Sequence, residues 1–184
     1  MRYPILLVSI FLLSAGCANQ QNAPKPTAVT APKVASIGTN GLDGDEEQAI
    51  LSYHNEVRAS VNVPPLHWSR QLAQHSADWI AKLATQGCEL RHSRDSNYGE
   101  NLFMGSSDQN HEAVIEAAKA WESEKINYSG EALSKANWSQ AGHYTQMVWR
   151  TSTELGCAKM ACGGNVIIAC NYAPAGNFMG KKPY

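Results

Sequence analysis

The sequence predicts an α+β fold, with helices layered about an antiparallel hairpin sheet, and three observations carry that expectation. Apolar residues recur at helical spacing in three separate stretches. A Gly163, Gly164 pair sits between two short runs that read as strands. Four cysteines, Cys88, Cys157, Cys162 and Cys170, form an even set suited to two disulfides.

The chain opens MRYPILLVSIFLLSAGCANQ, with one positive charge at Arg2, an apolar run over residues 5–13 and small residues before Cys17. That run is about half of the ~20 apolar residues a spanning helix needs, so residues 1–16 read as a signal peptide. Ser14, Ala15 and Gly16 before Cys17 resemble the lipobox of bacterial lipoproteins, although Ser14 stands where that family usually has Leu. The resemblance implies an acylated Cys17 as the mature N-terminus. Ala18 after it favours the outer membrane, with an ordinary secreted, soluble form as the alternative. Residues 18–44 are Pro, Ala, Thr, Asn, Gln and Gly-rich and carry no aromatic residue. They read, with Cys17, as a flexible tether over 17–44 that reaches roughly 30 Å, leaving one domain over 45–184.

Within that domain the first helix covers residues 45–60, with acidic residues at its start and Ile50, Tyr53 and Val57 on one face. A proline break follows in VNVPPLHWS. Ser69 then suits the N-cap of a second helix, whose stripe is Leu72, Ala73, Trp79, Ile80 and Leu83 and which stops at Gly87. A third helix runs through HEAVIEAAKAWESEK with Val114, Ala117, Ala118 and Trp121 inward. A strand is expected around residues 147–149, and two more in the hairpin LGCAKMACGGNVIIACNY.

Gly-Gly is a good two-residue hairpin loop, because both central residues of a type I′ turn need positive φ. In that register Cys162 faces Asn165 and, counting outward, Cys157 faces Cys170, close enough for a disulfide. Cys162 is then left to pair with Cys88 across the domain.

A net charge of −1 gives no electrostatic case for nucleic acid. The chain contains no G-x-S-x-G elbow, no H-E-x-x-H and no phosphate-binding glycine loop. What remains is His92 in LRHSRDSNYGENLF, His143 in GHYTQ, Glu100 in the first of these, and Glu122 and Glu124 on the third helix. Helix geometry does not separate Glu122 from Glu124, since both flank the apolar stripe. His54, His67, His75 and His111 read as structural or exposed, and Trp138 as an aromatic residue in a polar loop.

HNEVR, YGENL, WESEKINY, GHYTQMVWR, LGCAKMAC and CNYAPAGN follow one another in an order and spacing that resemble the CAP superfamily. That family takes in cysteine-rich secretory proteins, insect antigen 5 and plant pathogenesis-related proteins of class 1, and the likeness is strongest to the plant type. It implies a three-layer αβα sandwich with a central antiparallel sheet, and a framework that the two disulfides fit. It also implies a cleft lined by His92, Glu100, Glu124 and His143, and so selects Glu124 over Glu122. ANWSQAGHYTQ lacks the further cysteine that plant members carry there, which makes the loop over 127–140 looser in expectation.

Two imidazoles suit zinc or another divalent ion, with Glu100 and Glu124 orienting them or holding a metal-bound water. Only two nitrogen ligands are sure, so binding is expected to be weak and pH-dependent. The function expected first is a non-enzymatic, envelope-tethered module that binds a lipid, a sterol-like molecule, a glycan or a protein, with Tyr128 and Trp138 as apolar contacts. The alternative is a metal-assisted hydrolase with Glu100 or Glu124 as general base and His92 and His143 on the ion. PAGNFMGKKPY at the end of the chain resembles a segment that plant members can release as a signalling peptide.

Overall fold

In a computed structural model, described for residues 38–94, 97–106 and 112–184, four strands form one sheet. They are β1 (His67–Trp68), β2 (Gly99–Ser106), β3 (Glu154–Cys162) and β4 (Asn165–Ala173), in the order β1-β3-β4-β2. All neighbours are antiparallel except the short β1 and β3 pair. The expected signal peptide, Cys17, most of the expected tether and His111 lie outside the described residues.

The β3–β4 hairpin has the expected register. Gly163 and Gly164 turn it with φ of 59° and 81°, Cys162 faces Asn165 and Cys157 faces Cys170. Both expected disulfides are formed: Cys157 to Cys170, with Cα atoms 4.1 Å apart, and Cys88 to Cys162.

Strand parity divides the core into two layers. Val166, Ile168, Cys170 and Tyr172 of β4 pack with α1 (Gly44–Ser60), α3 (Ala113–Ser123) and α4 (Lys135–Met147), through Ile50, Val57, Ala117, Trp121 and Met147 among others. Ile167 and Ala169, on the opposite face of the strand, meet Ala77, Ile80 and Leu83 of α2 (Arg70–Ala84). The result is the αβα sandwich, each face of the sheet burying the apolar stripe of its own helices. The helix ends follow local chemistry: Asp43 and Glu46 form a capping box on α1. Ser69 precedes α2 as expected but makes no side-chain cap bond.

Four expectations need correction. Residues 147–149 are not a strand: α4 runs to Met147, and Val148 is its C-cap. Tyr144, Met147 and Val148 stand at i, i+3 and i+4 and are all buried, a helical spacing that the polar–apolar alternation around them obscured. The stretch GENLFMGS, not anticipated as a strand, is β2; Leu102 and Met104 pack on the α2 side and Phe103 on the other, so its apolar residues run together without alternating. The third helix gives way after Ser123 to a 3₁₀ turn, Glu124–Asn127. Lastly, packing begins upstream of residue 45: Leu42 is 1% exposed, and the Asn40 side chain donates to Cys157 O at 3.1 Å and to Glu47 at 2.8 Å.

Candidate functional site

The helix α4 carries the first half of the site, and it is broken. Ala141 has φ −139° and ψ 18°, so the residues from Gly142 onward start a fresh turn whose first N–H groups have no carbonyl beneath them. Glu124 fills that gap. Its Oε2 accepts from the backbone N–H of His143 (2.9 Å) and Tyr144 (3.2 Å), and its Oε1 accepts from Nδ1 of His143 at 2.6 Å. A carboxylate at the positive end of a helical turn is electrostatically favoured. The break is held from the C-terminal segment, where Asn177, at φ 59°, donates to Gly142 O at 2.8 Å and accepts from Thr145 at 2.8 Å.

Glu122 is employed elsewhere, which is the physical reason for the choice between the two glutamates. It accepts from Tyr53 at 2.5 Å and from Lys125 at 2.7 Å, and these bonds, Lys125 first, hold its carboxyl below the ordinary range.

The second half comes from β2. Glu100 accepts at Oε1 from Nδ1 of His92 (2.7 Å) and from the Ser93 backbone N–H (3.0 Å). Its Oε2 is buried and has no hydrogen-bond partner among the described residues. The two halves therefore repeat one arrangement, a histidine whose Nδ1 donates to a glutamate and whose Nε2 makes no hydrogen bond among the described residues. Asn101, next to Glu100, joins them to the core by donating to His143 O at 3.0 Å and to the Tyr172 hydroxyl at 3.1 Å.

His92, Glu100, Glu124 and His143 all line one cleft of about 610 Å³. Trp138 lines it too, but from α4 and not from a loop, with its indole over Gly142; residues 135–140 are helical where a looser loop was expected. Tyr128 stands apart. Its ring packs on those of Tyr144 and Tyr184, its hydroxyl donates to Glu131 O at 2.7 Å, and burial pushes its pKa up to about 12. Of the two residues expected as apolar contacts, Trp138 lines the cleft and Tyr128 does not. Sequence reasoning missed Gln146, Asn177, Phe178 and Met179, which also line the cleft. GHYTQ, ending on Gln146, and CNYAPAGN, ending on Asn177, gave a signal for two of them.

The model of the CAP, cysteine-rich secretory protein family matches residues 51–172. The chain belongs to the CAP family. Pathogenesis-related protein 1C of Nicotiana tabacum is 42% identical over 144 residues, 76% of this chain and 82% of the relative. Pathogenesis-related protein 1 of Arabidopsis thaliana is 43% identical over 141 residues, 76% and 83% of the two chains. Among solved structures, NaASP2 with Zn2+ superposes with a TM-score of 0.72 at 28% identity, covering 81% of this chain and 90% of that one.

In this CAP domain the donor set for a metal is small. Among the described residues no group of three or more His, Cys, Asp or Glu side chains is placed to hold an ion together. Both oxygens of Glu124 and Oε1 of Glu100 are engaged with Nδ1 atoms and backbone N–H groups, so Nε2 of His92 and Nε2 of His143 are the nitrogen donors that suit a soft-to-borderline divalent cation, with Oε2 of Glu100 the one unpartnered carboxylate oxygen of the four among the described residues. Solvent or a ligand would have to complete the coordination. The C-terminal segment is tied into the same CAP domain: Leu133 N–H donates to Lys181 O at 2.9 Å, Gly180 N–H to Leu133 O at 2.8 Å and Arg150 N–H to Pro183 O at 2.8 Å.

Proposed function

We propose that this CAP domain is an extracytoplasmic binding module, held at the cell envelope by an acylated Cys17, whose His/Glu cleft receives a lipid, sterol-like, glycan or protein ligand. The observation that carries this reading is the disposition of the two histidines. Each has Nδ1 taken by a glutamate, at 2.7 and 2.6 Å, and each lines the same cleft. This orients both rings for binding, and among the described residues no Ser, Thr or Cys side chain is hydrogen-bonded to either ring as an activated nucleophile would be. Trp138, Phe178 and Met179 are 42%, 55% and 50% exposed on the cleft wall and supply apolar contact area. Two disulfides support an oxidising compartment.

Zinc or another divalent ion would be held by Nε2 of His92 and Nε2 of His143, with Glu100 and Glu124 fixing ring orientation. The related NaASP2 was crystallised with Zn2+, which supports the choice of ion. Calorimetric titration of the full chain with zinc tests this, the expected result being weak binding lost in both His92→Ala and His143→Ala. Zinc binding that survives both substitutions overturns the metal assignment. The ligand role itself is tested by screening lipids, sterols and glycans against wild type and Trp138→Ala; a panel with no Trp138-dependent binder counts against it.

One observation favours the hydrolytic alternative. Glu100 Oε2 is buried with no partner among the described residues, a position from which a carboxylate could accept a proton from a metal-bound water. Peptide and ester libraries tested with and without zinc decide the matter. Zinc-dependent turnover that disappears in Glu100→Gln supports the hydrolase, and its absence supports the binding module.

A further inference from the structure

We propose that a groove beside the C-terminal segment is a second ligand site, one that takes an acidic lipid. Its anionic headgroup would sit on Arg150, Lys181 and Lys182, and the first part of its acyl chain against Trp149 and Phe178. These side chains, with Tyr184, line a groove of about 350 Å³. The site uses neither cleft histidine and does not rest on the reading of the cleft.

Charge is the first argument. All three cations are exposed, and none is engaged by an ion pair among the described residues. Arg150 donates to Asn62 O at 3.2 Å, which leaves most of its guanidinium free. No Asp or Glu side chain lines the groove. Even a terminal carboxylate at Tyr184 leaves two of the three charges uncompensated, on a chain whose net charge is only −1. An anion is what this concentration of charge would attract.

The apolar half decides what kind of anion. Trp149 is 4% exposed and forms the floor, its ring 6.0 Å from that of Phe178. Phe178 and Met179 stand at the tip of a turn closed by the Lys181 N–H on Phe178 O (3.1 Å), with Gly180 at φ 78°. Phe178, half exposed in the groove, with Met179 half exposed beside it and two lysines after Gly180, is the composition of a segment that meets an acidic lipid at an interface. A free phosphate would leave Phe178, the one of the two that lines the groove, in water. A neutral sugar could hydrogen-bond to the cationic side chains but would leave their charge uncompensated. The backbone bonds from Leu133, Gly180 and Arg150 hold the walls before any ligand arrives, which lowers the ordering cost of binding.

The test is calorimetric titration of the full chain with octyl phosphate below its micelle concentration, beside inorganic phosphate and octyl glucoside. Octyl phosphate is expected to bind at least about tenfold more tightly than either control. Its affinity should fall about tenfold in Lys181→Glu with Lys182→Glu, and likewise in Phe178→Ser, and stay unchanged in His143→Ala. If thermal unfolding shows that the charge reversal disturbs the fold, Lys181→Gln with Lys182→Gln replaces it, with an expected loss of about threefold. Equal binding of octyl glucoside reduces the site to an apolar patch, and equal binding of phosphate reduces it to a free-anion site. Either result overturns the proposal, as does loss of binding in His143→Ala or no binding of octyl phosphate.

Discussion

His54 and Tyr172, 118 positions apart in the chain, share a buried hydrogen bond of 2.8 Å between Nε2 and the phenolic oxygen. The other ring nitrogen lies 2.7 Å from Ile50 O, which can only accept, so Nδ1 carries the proton and Tyr172 donates to Nε2. Asn101 donates in turn to the Tyr172 oxygen and to His143 O. A neutral histidine in the core is therefore the far end of a chain of bonds that reaches the cleft.

The first prediction concerns acid. Burial pushes the His54 pKa down to about 4, below its ordinary value of 6.5, so on acidification the unfolded chain takes up this proton first. The contribution of neutral His54 is complete above about pH 6.5, declines as pH falls toward about 4 and is lost below that, a span of roughly 3 kcal/mol. Urea unfolding at pH 7 and pH 4.5 should show a larger drop for wild type than for His54→Gln. Parallel pH curves for the two would remove His54 as the cause.

Arg58 is fully buried, and burial pushes its pKa down to about 10, so it is still charged at neutral pH. It donates to the carbonyls of Pro64 (2.7 Å), Met147, Trp149 and Ser152 (2.9 Å each), closing the C-terminal end of α4 with a positive charge. Arg58→Met should cost roughly 3 kcal/mol or more, because buried carbonyls lose their partners. Arg58→Lys should recover little of this, since an ammonium cannot span the same four acceptors. A midpoint of denaturation for Arg58→Lys equal to wild type would contradict the account.

Glu124 and Glu122 lie two residues apart and should behave differently. Glu124→Gln loosens the His143 ring and is expected to weaken zinc binding by about 10-fold to 100-fold. Glu122→Gln, whose partners are Tyr53 and Lys125, should leave zinc affinity unchanged. Calorimetry on both variants checks this, and equal losses would mean that the effect is one of general destabilisation.

The two disulfides differ in access. Cys157 and Cys170 are wholly buried in the helical layer, whereas Cys88 is partly exposed. Limited reduction followed by alkylation should therefore label Cys88 and Cys162 first. Loss of that bridge, which spans 74 positions, should cost about 4 kcal/mol on the chain-entropy account, and loss of the 13-position bridge about 3 kcal/mol. Early labelling of Cys157 would show that the sheet opens before the outer bridge.

Much of this protein was legible in its residues, and what was legible is local or repetitive. Two glycines set the hairpin register, the register set Cys157 opposite Cys170, and the helical stripes of α1 to α3 named their buried faces. The family followed from six short motifs in order. Other features depended on partners far along the chain. β2 was hidden because both of its faces are covered, so no alternation marks it. The break at Ala141 depends on Asn177, 36 positions later, and the choice of Glu124 depends on where Tyr53 of α1 places Glu122. Trp138 reaches the cleft and Tyr128 does not, although both lie in the stretch before GHYTQ. Periodicity reports which face of an element is apolar; which side chains meet across the cleft is decided by packing between elements, and only the folded chain contains that distance.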